Sequence, residues 1–205
     1  MKAYQEWEAP VVTDLIAVPS ENLLLETALE LFGRTGYEAT SMREIALSAG
    51  IRQVELYSVF PSKEVLLWKL ANRAADEILE GQSRAIDLLE DVVGSLRKFV
   101  RFHAGWHARN ATLACVVNHN MASLTVDHRT KFFDKRAVYE RSFRRLLETG
   151  NSGGFFDILN VRVTTYAILQ MGIEISVWYR AGGELSADEL ASLHEELALR
   201  MVGYC

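Results

Sequence analysis

His103 and His107 stand four residues apart, which puts both imidazoles on one face of a helix. With His119 or His128 they could hold a metal ion through neutral ring nitrogens. No carboxylate or cysteine stands at a supporting spacing, so neither a metal nor a cofactor is expected, and a core or a pocket suits these histidines better. Around them the chain from 84 to 181 repeats aromatic residues at helical spacing: Phe99, Phe102 and Trp106, then Phe132, Phe133, Tyr139 and Phe143, then Tyr166 and Trp178. Aromatic walls with a few polar groups, set between bundle helices, make the usual small-molecule site. Phe99, His103, Trp106, His107, Phe133, Tyr139 and Tyr166, with Asn118, Arg136 and Gln170 as polar groups, form the candidate ligand-binding set. Any one of these rings could instead simply fill the core. No nucleophile elbow, glycine-rich phosphate loop or histidine–glutamate zinc pattern is present, and no catalytic residue is assigned.

A second constellation lies between residues 20 and 70. A helical segment is followed by Gly36-Tyr37, a short helix, Ala49-Gly50-Ile51, another short helix, and then Tyr57 and Phe60-Pro61-Ser62-Lys63-Glu64. A small residue and a glycine at the turn let two short helices cross steeply, so that the second can lie in a DNA major groove about 12 Å wide.

The elements that must position these groups are helices. Pro10, Pro19 and Pro61 are the three prolines, so the chain after Pro61 runs without a ring to interrupt a helix. Apolar residues recur at helical spacing in Leu24, Ala28, Leu31 and Phe32, in Leu66, Leu70, Ala74 and Ile78, and in Leu190, Leu193, Leu197 and Met201. An all-α chain of about nine helices follows. The first runs from Ser20-Glu21 to Gly33 or Gly36; the second is capped by Thr40 or Ser41, with Ser41 and Glu44 at capping-box spacing, and ends at Gly50. The third covers Arg52 to Val59, and the fourth opens at Pro61-Ser62-Lys63-Glu64 and ends near Gly81. The remainder are expected at about 84–108, 110–123, 127–149, 157–181 and 186–203.

The composition, 49% hydrophobic and 24% charged, is that of a globular chain with a proper core, and the net charge of −5 advertises no global affinity for phosphates. Cys115 and Cys205 are too few and too far apart for a disulfide framework. Residues 1–19 lack the basic start and continuous apolar run of a secretory signal, and the most apolar stretch, 158–179, is interrupted by Arg162, Gln170 and Glu174. A soluble, cytoplasmic protein with no membrane partner is expected.

The segment with Ala28, Leu31-Phe32, Gly36-Tyr37, Thr40-Ser41, Ile45-Ala46, Ala49-Gly50-Ile51, Leu56-Tyr57, Phe60 and Ser62-Lys63-Glu64 resembles the tetracycline-repressor (TetR) family of transcriptional regulators. The resemblance implies an N-terminal arm (1–19), a helix-turn-helix DNA-binding head (20–65), and a body (66–205) that dimerises and encloses an effector pocket. Two heads about one DNA turn apart would read a palindromic double-stranded operator. Carried over by position, Thr40, Tyr57 and Lys63 would touch phosphates, while Ser41, Arg43, Arg52, Gln53 and Glu55 would sit at or near the DNA. From Phe102-His103 through Ser123-Leu124, with Arg136-x-x-Tyr139-Glu140 and Trp178-Tyr179-Arg180, the body looks like a branch that regulates lipid and sterol catabolism, with acyl-CoA effectors. That resemblance implies an acyl group among Phe99, Trp106, Phe133 and Tyr166 and phosphates on Arg136 or Arg141, unless these arginines form solvated surface pairs instead.

Arg52, Val54, Glu55 and Val59 depart from the family's pattern, and residues 21–70 hold five basic against seven acidic side chains. Affinity for duplex DNA comes largely from neutralising phosphates, so weak binding or a few well-placed contacts are expected. The expected function is therefore a ligand-responsive repressor; the alternative is a dimeric ligand-binding protein whose head has altered or lost DNA binding. Ile168, Met171 and Ile175, with Leu190, Leu193, Leu197 and Met201, would form a four-helix interface between two copies, or pack within one.

Overall fold

The computed structural model describes residues 20–86 and 91–204. Among them lie nine α-helices and no strand: α1 (Glu21–Thr35), α2 (Met42–Ser48), α3 (Gln53–Val59), α4 (Lys63–Ala85), α5 (Val92–Arg109), α6 (Ala111–His119), α7 (Val126–Ser152), α8 (Val161–Trp178) and α9 (Ala187–Met201). A single 3₁₀ turn, Met121–Ser123, joins α6 to α7. The expected arm at 1–19 and Cys205 lie outside the described residues.

Local chemistry starts most of these helices. Ser20 accepts from the Leu23 N–H, and Ser41 with Glu44 and Ser186 with Glu189 form reciprocal capping boxes on α2 and α9. Gly50 turns the chain between α2 and α3 at φ 69°, a left-handed conformation that a β-carbon resists. Leu24, Ala28 and Phe32 of α1 then close over Ile45, Leu56, Phe60 and Leu66 in one core, which continues into the body through Trp106, Leu113 and Val117. A second core gathers Phe99, Phe143, Leu146, Ile168 and Leu199.

Several boundaries differ from the sequence expectation. Helix α4 passes Gly81 and runs to Ala85, because Gly81 is a point of close approach: a Cβ there would fall 1.9 Å from Phe102 Cζ of α5. Helix α5 starts at Val92 rather than near 84, where Asp91 accepts from the Gly94 N–H at 2.7 Å. Gly150 likewise lies inside α7, with the Phe156 ring packed where its Cβ would be. Helix α6 ends at His119 instead of 123, and α8 begins at Val161 instead of 157, capped by Asn160.

The expected interface residues also divide. Ile168, Ile175 and Leu190 are buried within the chain's own cores and are unavailable to a second copy. The outward stripe of α8 is Val163, Tyr166, Val177 and Trp178, and that of α9 is Leu193, Leu197 and Met201. Among the described residues no helix is long and apolar enough to cross a membrane.

Candidate functional site

Helices α2 and α3 present one face and spend much of their polar chemistry inside it. Thr40, expected at a phosphate, is 2% exposed; its hydroxyl donates to the Gly36 carbonyl at 2.8 Å and lies 2.8 Å from the Thr35 hydroxyl. Ser41 caps α2. Glu55 accepts from the Arg52 backbone N–H at 2.8 Å and from its guanidinium Nη2 at 2.6 Å, so the charges of Arg52 and Glu55 offset each other. A carboxylate beside DNA repels phosphates, and this pairing reduces that repulsion by Glu55 as well as the attraction by Arg52. Lys63 donates to the carbonyls of Tyr37 (2.7 Å), Glu38 (3.2 Å) and Thr40 (3.0 Å), closing the α1–α2 turn rather than reaching outward. Arg43, Gln53 and Tyr57 remain exposed with no polar partner among the described residues. Val54 and Ser58 share the exposed side of α3 with them.

The first turn of α4 ties this face to the body. Glu64 accepts from the Thr125 N–H at 2.9 Å and pairs with His128 Nδ1 at 2.8 Å, at the start of α7. Burial alone would raise the Glu64 carboxyl, but these hydrogen bonds prevail and hold it below the usual carboxylate range. His128 stacks on Trp68 with ring centres 4.6 Å apart, and Ser123 donates to Glu38 at 3.1 Å.

Between α4, α5, α6, α7 and α8 lies a small apolar cavity that opens partly to solvent. His103, Trp106, His107, Asn118, Arg136 and Tyr139 line it, as the sequence suggested. Phe99 does not: it is fully buried behind the wall, stacked on Phe143 with centres 4.1 Å apart. Phe133 and Tyr166 point outward and are half exposed. Gln170 lines an adjoining outer cleft that shares Asn118, Arg136 and Ile173 with the cavity. The sequence reading missed Ala74, Ala75 and Ile78 of α4 and Ala114 and Val117 of α6. Their spacing on α4 was visible, but periodicity marks an inward face without telling core from cavity.

The polar groups of the cavity form a short chain. His103 Nε2 faces the Leu169 carbonyl at 3.0 Å and must carry the proton, which leaves Nδ1 to accept from the Tyr139 hydroxyl at 2.7 Å. Gly172 of α8 makes room for this ring, since a Cβ there would fall 2.2 Å from His103 Cδ2. Burial pushes His103 down to about 4 and His107 well below its ordinary value, and pushes the Tyr139 hydroxyl well above its own. Arg136 is exposed and has no ion pair among the described residues. No group of three or more His, Cys, Asp or Glu able to hold a metal occurs among the described residues; His119 instead bonds the Cys115 carbonyl.

A pH dependence follows with a definite sign. Below pH 6.5 the unfolded chain binds a proton at His103 that the native chain refuses down to about pH 4, so native stability declines as pH falls through that window. The interval from 6.5 to about 4 corresponds to about 3 kcal/mol at its lower end, and His107 acts in the same direction. Urea midpoints measured between pH 7.5 and 4.5 are expected to fall more steeply for the natural chain than for His103→Gln.

Comparison with known proteins meets this geometry at both ends. The model described as bacterial regulatory proteins, tetR family, matches residues 24–69, and that of the tetracyclin repressor-like C-terminal domain matches 90–202, more than half of the chain. The chain belongs to the TetR family. This TetR-family member is 30% identical over 196 residues to the HTH-type transcriptional repressor KstR2 of Rhodococcus jostii (strain RHA1), covering 86% of this chain and 87% of that protein. A tetR-family regulatory protein from Rhodococcus RHA1 overlays with a TM-score of 0.85 at 28% identity, covering 91% of this chain and all of the other. AibR, solved in complex with isovaleryl coenzyme A and operator DNA, overlays with a TM-score of 0.79 at 25% identity, covering 90% of this chain and 98% of AibR.

Proposed function

We propose that this chain is a ligand-responsive repressor that binds a palindromic operator as a homodimer and is modulated by a small hydrophobic effector, an acyl-CoA thioester. The observation that carries the reading is that one helix, α4, does two things. Its first turn holds the head through Lys63 and the start of α7 through Glu64, and its middle, Ala74 to Leu79, is a wall of the cavity. A ligand that moves this wall moves the head, so effector and DNA compete or cooperate through their different affinities for two arrangements of α4. Residues 20–65 serve as the head and 66–205 as the body in this scheme. The apolar inner cavity suits an acyl chain, and Arg136, shared with the polar outer cleft, suits the anionic part of the same molecule. AibR, a relative solved with both isovaleryl-CoA and operator DNA, supports both halves of the reading.

Fluorescence anisotropy with duplex DNA from the gene's own upstream region tests it. Sequence-selective binding that weakens with salt, and shifts at least tenfold when an acyl-CoA is added, is the expected result. Salt-insensitive or absent binding would instead favour a dimeric ligand-binding protein with a disarmed head. That second reading draws on the internal pairing of Arg52 with Glu55 and on the inward commitment of Thr40 and Lys63.

A further inference from the structure

We infer that the cavity selects an acyl group bearing a hydroxyl over a plain hydrocarbon chain, and that His107 and Tyr139 read that oxygen. The inference rests on the effector reading of the cavity given above. His107 lines the cavity, is 3% exposed, and its Nδ1 has no hydrogen-bond partner among the described residues. An unpaired buried nitrogen costs about 1–3 kcal/mol, so a ligand group that supplied the missing bond would be favoured here.

The neighbouring rings determine what that group must be. The Tyr139 O–H is spent on His103 Nδ1, because His103 has committed its only proton to the Leu169 carbonyl. Tyr139 therefore offers the cavity an acceptor and no donor. His107, kept neutral by burial, offers one N–H and one bare nitrogen. Both rings stand around His103, with centres 4.7 Å and 5.7 Å from its own. A hydroxyl can donate to the Tyr139 oxygen and also pair with His107. A ketone can use only His107, and a methylene can use neither. A carboxylate cannot donate to the Tyr139 oxygen, so it would leave that acceptor facing a second acceptor. The remaining wall, including Ala74, Ile78, Ala114 and Val117, is apolar and suits the carbon skeleton.

Calorimetric titration of the full chain with octanoyl-CoA, 3-hydroxyoctanoyl-CoA and 8-hydroxyoctanoyl-CoA provides the test. At least one hydroxylated ester is expected to bind about tenfold more tightly than octanoyl-CoA. In His107→Leu, and separately in Tyr139→Phe, the ratio of the hydroxylated ester's affinity to that of octanoyl-CoA is expected to shrink to about twofold or less, whatever happens to the absolute affinities. Equal affinity for all three esters overturns the inference and leaves the effector reading standing. Binding of none of them removes the CoA ester from the effector reading and leaves a small hydrophobic ligand to be tested directly. The inference then stands or falls on cyclohexanol against methylcyclohexane, followed by the ¹⁵N resonance of His107 Nδ1 in the natural protein. A shift with cyclohexanol alone supports it, and no shift with either overturns it. The resonance needs no variant, so a substitution that fails to fold does not obscure the answer.

Discussion

Replacing Leu193 and Leu197 together by glutamate is expected to yield a monomer whose operator affinity is lower by two to three orders of magnitude, as follows from losing the second of two linked binding heads. Both leucines lie on the outer side of α9, 46% and 45% exposed, beside Met201 and the Val163, Tyr166, Val177 and Trp178 stripe of α8. Exposed apolar side chains gathered on the outer sides of two helices suit an interaction site, and two copies facing across a twofold axis would cover them. Glutamates at the two positions place like charges against each other across that axis and leave the chain's own cores untouched. The monomer's thermal midpoint, compared at the same low concentration, is therefore expected to change little. Sedimentation velocity reads the mass and anisotropy reads the operator affinity. An intact dimer would move the interface off these helices, and a monomer that keeps full affinity would remove dimerisation from DNA recognition.

The same helices show which physical information a sequence carries openly. Ser41 with Glu44 and Ser186 with Glu189 mark helix starts because capping is completed within four residues, and the structure has both boxes. Gly81 and Gly150 mislead for the opposite reason. Both look like helix ends, yet each sits within a helix because a ring from elsewhere, Phe102 or Phe156, packs where a Cβ would be. The cavity divides along the same line. Helical spacing correctly put His103, His107 and Tyr139 on inward faces. It could not show that Phe99 turns to Phe143 or that Tyr166 turns outward to lie beside Arg144, since those choices depend on the rotation of one helix against another. Thr40 and Glu55 were legible as polar residues of a head and illegible as partners, because their partners are backbone groups and an adjacent guanidinium.

Lys63→Met is expected to reduce operator affinity without changing its salt dependence. A lysine at a phosphate and a lysine inside the head both weaken binding when removed, and the way each does so differs. Loss of a phosphate contact lowers the slope of log affinity against log salt by about 0.9 and leaves the fold alone. Lys63 instead places its ammonium on the carbonyls of Tyr37, Glu38 and Thr40 and 4.4 Å from the centre of the Tyr37 ring. These bonds lie between the end of α1 and the start of α2, so they fix where the recognition pair begins. Charge-assisted bonds of this sort contribute about 1.5–3 kcal/mol, and partial exposure of Lys63 puts the cost towards the lower end. The variant is therefore expected to exchange amide protons of residues 36–41 roughly tenfold faster, and to bind operator several-fold more weakly with an unchanged salt slope. A slope that falls by about one, with amide exchange unaltered, would return Lys63 to the phosphates and mean that its side chain leaves the turn when DNA is bound.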